Sequence, residues 1–206
     1  MKTKFFVYFS IVLMIFLAGC AKEKVRKADS REVRLAKEIL NGPIVLSTKC
    51  KINNIDKTLL KNGCPAKYDF KWEGDRMRLV LENFSVGTMP FEITFKIYTD
   101  FMGLNSWEKD ENPGSGWVKF KGNNGSIAAM ENGKPKDLGE SNGGANIKGI
   151  LNLKTKEIQF TINFNVMNVM SNCFQQVIDY DRINNFEEER KQYEMDLQKY
   201  KKDHGL

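Results

Sequence analysis

The chain has 206 residues, 28% of them charged, with 32 basic against 26 acidic side chains and a formal net charge of +6. That length suits one modest globular domain, and the basic residues lack the clustered stripe and recognition motif that nucleic-acid binding requires. The cysteines form no C-x-x-C pair and the one histidine, His204, stands at the carboxyl end, so neither a metal centre nor histidine-dependent catalysis is expected.

The chain opens with a basic Met1-Lys2-Thr3-Lys4, followed by an apolar run from Phe5 to Ala18 in which Tyr8 and Ser10 alone carry a polar group. A membrane span needs about 20 apolar residues, so this shorter run suits a secretory signal. It ends in Leu17-Ala18-Gly19-Cys20 and then turns to charge. The pattern resembles the lipobox of bacterial lipoproteins. That resemblance implies cleavage before Cys20 and acylation of its thiol and amino group, with each buried methylene contributing about 0.8 kcal/mol to anchoring. The mature protein is then expected to be held at a membrane of the cell envelope. Ala21 follows the cysteine, a position that in enterobacterial lipoproteins favours the outer membrane, with the side it faces left open.

Asp29 or Ser30 is placed to cap a helix running to about Leu40, with Leu35, Ala36, Ile39 and Leu40 on one face, and Asn41-Gly42-Pro43 stops it. Beyond this point the apolar period becomes two. Ile44, Leu46, Cys50 and Ile52 mark a strand, and Leu59-Leu60 a single helical turn. With Cys20 acylated, an exported protein is expected to pair two of its other three cysteines. Cys50 with Cys64 is the favoured bridge, closing a loop near the 15-residue case for which a bridge is worth about 3 kcal/mol.

Ala66, Tyr68, Phe70 and Trp72 alternate with Lys67, Asp69, Lys71 and Glu73, and Met77, Leu79 and Leu81 continue the row after Gly74-Asp75. A two-residue turn there sets Trp72 opposite Met77, Phe70 opposite Leu79 and Tyr68 opposite Leu81. Phe91, Ile93, Phe95 and Ile97 form the next strand behind Pro90, and Leu104 to Ser115 reads as a loop. A short strand from Gly116 to Lys121 follows, and then a Gly- and Asn-rich stretch with one brief strand at Ile127 to Met130. A second hairpin sets Ile147, Gly149, Leu151 and Leu153 against Phe164, Ile162, Phe160 and Ile158 in that order, with Lys154 opposite Glu157. Asn185 with Glu188 resembles a capping box opening an amphipathic helix to Asp203, striped by Phe186, Tyr193, Leu197 and Tyr200.

The divisions are therefore a signal peptide over 1–19, a lipidated tether with a short helix over 20–43, an antiparallel β domain over 44–183 and a C-terminal helix over 184–206. Strands follow one another with short loops and no β-helix-β alternation, so the fold is mainly β, an antiparallel meander. It is expected to close into a small calycin-like barrel; a two-layer sandwich is the alternative. The stretches FEITFKIYTDFMGLNSWEKDENPGSGWVKF and IKGILNLKTKEIQFTINF make the chain similar to uncharacterised Bacteroidetes-type envelope lipoproteins that carry a domain of unknown function. The likeness brings no activity with it.

The sequence points to binding and not to catalysis. Glu108, Asp110 and Glu111 stand beside Trp107, as glycosidase chemistry would want, and Asp110 with Asn112 is reminiscent of a calcium loop without its bidentate glutamate. Neither pattern is specific, and no cofactor is implied. Two binding readings fit better. One is an apolar cavity inside the β domain, walled by Trp72, Phe95 and Phe160 and holding a small apolar ligand. The other is an outer patch for glycan or protein, built from Trp107 and Trp117 beside the polar row Gln159, Thr161, Asn163 and Asn165. A structural envelope role would instead use the C-terminal helix as a protein-binding surface.

Overall fold

A computed structural model describes residues 25–87, 89–136, 144–164 and 168–206. Cys20, the segment 1–19 and Asn165 lie outside the described residues. Helix α1 (Ser30–Ile39) is followed by strands β1 (Gly42–Ile52), β2 (Ile55–Asp56), β3 (Cys64–Glu73), β4 (Arg76–Phe84) and β5 (Glu92–Met102). Helix α2 (Ser106–Glu111) then leads to β6 (Trp117–Glu131), β7 (Lys134–Lys136), β8 (Ala145–Asn152), β9 (Glu157–Asn163) and β10 (Val169–Val177). A 3-10 turn (Tyr180–Asn185) runs into helix α3 (Phe186–His204).

Eight of these strands form one antiparallel barrel, in the order β10-β9-β8-β6-β5-β4-β3-β1, and β10 pairs with β1 to close it. Sequential hairpins build such a closure without long crossovers, and closure removes the edges that a sandwich must protect. The β3–β4 hairpin has the register that its alternation predicts, from Tyr68 opposite Leu81 to Glu73 opposite Arg76. Gly74 turns it with a φ of +59° at the first central position, where this class of tight hairpin requires a left-handed residue. The like-charge pair Lys71 and Arg78 is relieved sideways by Asp69, 2.7 Å from Lys71, and Glu73, 3.4 Å from Arg78.

Five local expectations are corrected. The β8–β9 register is displaced by two residues, so that Leu151 faces Ile158, Gly149 faces Phe160 and Ile147 faces Ile162. The Asn152 side chain accepts from the backbone N–H groups of Lys154 and Thr155, and Lys156 takes a φ of +59°, which makes a longer turn than a two-residue one. A slip of two keeps every side chain on its own face, which is why the apolar rows still meet. Residues 117–131 form a single strand instead of two short ones, bent by an irregularity between Gly122 and Gly125. A Cβ on Gly122 would come 2.2 Å from the Tyr98 carbonyl oxygen, so the glycine lets the strand cross its neighbour closely.

Leu59 adopts a φ of +66°, so the pair Leu59-Leu60 is a turn and not a helical one. Asn185 gives α3 no side-chain cap, because the preceding 3-10 turn leaves it at ψ 9° instead of extended. The capping boxes form elsewhere: Asp29 with Glu32 opens α1, and Asn105 with Glu108 opens α2 within the stretch read as a loop.

The lumen is filled. Tyr68 meets Phe160 edge-on at 5.1 Å, Phe160 meets Phe120 at 6.1 Å, Phe120 meets Phe101 at 5.6 Å, and Phe101 stacks on Trp72 at 5.4 Å. Phe95 meets Phe164 edge-on at 5.4 Å. An eight-stranded barrel is just wide enough for side chains to fill it. Helix α1 covers the end that carries the β3–β4 turn, where the Trp72 indole donates to the Leu40 carbonyl at 2.6 Å and Lys37 reaches Asp75. Helix α3 lies on the outside beside β3, burying Tyr193 and Leu197. There the Tyr193 hydroxyl donates to the Thr58 carbonyl, and Arg190 donates to the Ser85 carbonyl and the Cys64 sulfur.

Candidate functional site

With α3 on one wall, the opposite wall, made of β6, β8, β9 and β10, carries a groove of about 770 Å³. A volume of that size is typical of small-molecule sites. Its floor is the outer face of these strands and its rim is α2. The sequence raises that rim through the capping box: the Glu108 carboxylate accepts from the Asn105 N–H at 2.7 Å while the Asn105 side chain accepts from the Glu108 N–H at 2.9 Å. Lys119 on β6 then donates to the same carboxylate at 2.6 Å, fastening α2 to the barrel. The helix has no buried residue, and its Trp107 presents an indole that is 59% exposed at the groove.

Within a mixed floor, one polar row is ordered by register. Lys121 on β6 faces Lys148 on β8, Lys148 faces Thr161 on β9, and Thr161 faces Asn172 on β10. The Thr161 hydroxyl donates to the Asn172 side-chain oxygen at 2.9 Å. Gln159, Ile150 and Phe174 line the next level, and Val25 and Glu111 stand at the margin. Two further hollows lie against α3, of about 810 and 420 Å³. Arg190 borders the first, already committed to Ser85 and Cys64. Neither is lined by a tryptophan.

The structure divides the expected binding residues. It brings Trp107 together with Gln159 and Thr161, as the outer-patch reading requires. Trp117 is half-buried, its indole N–H donating to the Pro113 carbonyl at 3.3 Å, and it does not line the groove. Trp72 and Phe95 serve the core; Phe160 lines the groove at its floor while packing inward on Tyr68 and Phe120. The apolar cavity expected among those three rings is therefore occupied by the rings themselves. Lys121, Lys148 and Asn172 were not foreseen, because their meeting depends on β6 pairing with β8 across the Gly- and Asn-rich stretch.

Cys50 and Cys64 are free buried thiols, as is Cys173, so the expected bridge is absent. The register supplies the reason. Thr48 faces Cys64 on one side and Cys173 on the other, and Cys50 lies two residues further along β1. That makes Cys50 and Cys64 diagonal neighbours about 7 to 8 Å apart, beyond the ordinary Cα span of a disulfide. Burial pushes Cys50 up to about 11 and Cys64 up to about 12, so both are protonated at neutral pH. Protonated thiols are poor nucleophiles. Among the described residues no cluster of acidic, cysteine or histidine side chains has the arrangement to hold a metal ion.

A family model described as a domain of unknown function (DUF4903) matches residues 20–205. No curated protein and no solved structure matches the chain.

Proposed function

We propose, for a chain that belongs to the DUF4903 family of domains of unknown function and so takes no activity from it, a non-catalytic, lipid-anchored module that binds glycan in its outer groove. The observation that carries this reading is the exposed Trp107 face set above the hydrogen-bonding row Gln159, Thr161 and Asn172 in one groove. A sugar ring offers an apolar C–H face and a rim of hydroxyls. An aromatic face beside amides and a hydroxyl complements both at once. A purely apolar ligand would leave those polar groups unpaired on desolvation.

Binding is favoured over hydrolysis by how the acids are used. Glu108 is already engaged by Lys119 and by its own cap, and His204 sits at the far end of α3, stacked on Tyr200. Truncation at an interface tryptophan commonly costs 2 kcal/mol or more, or about thirtyfold in affinity. Trp107→Ala is therefore expected to weaken oligosaccharide binding about thirtyfold with its melting temperature unchanged. Isothermal titration of the full-length lipoprotein in detergent against a neutral and acidic oligosaccharide series measures this. Equal affinity in the two proteins would remove the reading.

The anchor reading rests on the apolar run and Leu17-Ala18-Gly19-Cys20, and the family match begins at that cysteine. Val25 lines the groove, and five residues span at most about 18 Å. A lipid on Cys20 would thus hold the groove close to the surface of the envelope membrane, which we take to be the outer membrane. Native protein is expected to lack residues 1–19, carry acyl mass on Cys20 and become unanchored as Cys20→Ser; an intact leader or free thiol in the mass spectrum would contradict it.

A further inference from the structure

We infer that the groove selects an acid-bearing saccharide, a uronate or sulfated sugar, with Lys121 and Lys148 gripping the acid group; this rests on the glycan reading above. The starting point is a mismatch that folding alone does not need. Lys121 and Lys148 face each other directly on adjacent strands. Like charges in that position are destabilising. Both side chains are exposed, and neither has an ion-pair partner among the described residues.

Among the described residues, the surrounding acids form no ion pair with either lysine. Asp100, opposite Lys121 on β5, is 3.3 Å from Arg76 instead. Lys119 and Glu108 neutralise each other at 2.6 Å. Glu111, at the margin, is the remaining acid lining the groove. Two ammonium groups without an ion-pair partner among the described residues therefore sit on the floor, with Asp100 facing Lys121 from β5 and Glu111 at the rim.

Their position decides the ligand. Lys148 borders Thr161, and Thr161 borders Asn172, so the cations continue directly into the hydroxyl-binding row beneath Trp107. A sugar stacked on the indole with its hydroxyls on Gln159, Thr161 and Asn172 would bring an equatorial carboxylate or sulfate to the two lysines. Charge-assisted hydrogen bonds there are about twice as strong as neutral ones and fade with salt.

The test titrates the full-length lipoprotein in detergent with tetragalacturonate, a chondroitin sulfate tetrasaccharide, neutral cellotetraose and polyphosphate. Wild type is expected to bind at least one acidic tetrasaccharide and to prefer it to cellotetraose by more than tenfold. Lys121→Gln and Lys148→Gln each lose about tenfold for the acidic ligand, or about 1.4 kcal/mol, with a melting temperature no lower than wild type, because each removes a like-charge opposition. Trp107→Ala weakens every sugar. Cellotetraose binding that depends on Trp107 and ignores both lysines would overturn the acidic preference and leave the glycan reading standing. Polyphosphate binding that depends on the lysines and ignores Trp107 would reduce the pair to a general anion patch and overturn both. Absence of binding to all four probes would overturn both as well.

Discussion

Gly149→Ala is expected to lower stability by about 3 kcal/mol, and Gly149→Val to keep folded protein from accumulating. Gly149 needs no unusual backbone; what it supplies is space. A Cβ there would lie 2.4 Å from the Phe120 ring, 2.5 Å from the Phe160 Cβ and 2.7 Å from the Gln159 carbonyl oxygen. Two of those three obstacles are backbone or the root of a side chain, so they cannot swing aside. The missing side chain lets rings from β6 and β9 meet across β8, which is how the lumen becomes full. Overpacking commonly costs 1 to 3 kcal/mol, and a site hemmed in on three sides belongs at the upper end of about 3.

Urea unfolding measures the effect. Phe120→Leu is expected to cost about 1 kcal/mol less in the Gly149→Ala background than alone, because it withdraws the ring tip, a coupling normal for touching residues. Gly103→Ala is the contrast, because its nearest obstacles, at 3.1 Å and beyond, all belong to the Arg26 side chain and need give by only a few tenths of an ångström, and it should cost no more than about 1 kcal/mol. Gly149→Ala within the same margin would show that the barrel yields where it is described as full.

The second large effect is alkaline. Burial raises Cys50 to about 11 and Cys64 to about 12 from an ordinary value of 9.0, and raises Cys173 further; the Arg190 guanidinium opposes the rise at Cys64. The unfolded chain releases these protons near its ordinary thiol value while the folded chain keeps them. The folded state then binds more protons, so stability is fully present below about pH 9 and falls as pH climbs toward 11 to 12. Each thiol contributes a slope of about 1.4 kcal/mol per pH unit, and three together about 4. Over two units that rivals the 5 to 15 kcal/mol total of a typical domain, to within an order of magnitude. Buried Tyr68, also raised, steepens the fall above the ordinary tyrosine range. Urea midpoints from pH 7 to 11 should be level and then drop steeply. A level midpoint through about pH 10.5 would mean the thiols are hydrated or paired.

Trp72 shows why alternation was a sound guide to the barrel and a poor one to its interior. A period of two reveals which side of a strand is apolar, and the β3–β4 register followed from that row plus Gly74. It does not reveal how far apart opposite walls stand. The rings expected to wall a cavity instead touch one another, because eight strands leave room for side chains and little else. The same limit explains the groove. Trp107, Gln159 and Thr161 were legible as exposed polar and aromatic residues, and Asn105 with Glu108 carried the unread signal that α2 would lift Trp107 above the sheet. Nothing local could pair Lys121 with Lys148, since Gly122 and Gly125 hide a bent strand inside a sequence that looks like linker.

Local chemistry alone determined that β1, β3, β4, β5, β8 and β9 are strands, which of their faces turn inward, and where α1 begins, because these depend on periodicity, capping and glycine within a few residues; the closing strand β10 and the middle of β6 carried no such signal. Tertiary structure alone decided that the lumen is solid, that Cys50 and Cys64 stay apart, and that two lysines share the floor of a groove with Trp107. Those outcomes depend on barrel closure and strand register, which set distances between residues far apart in the chain.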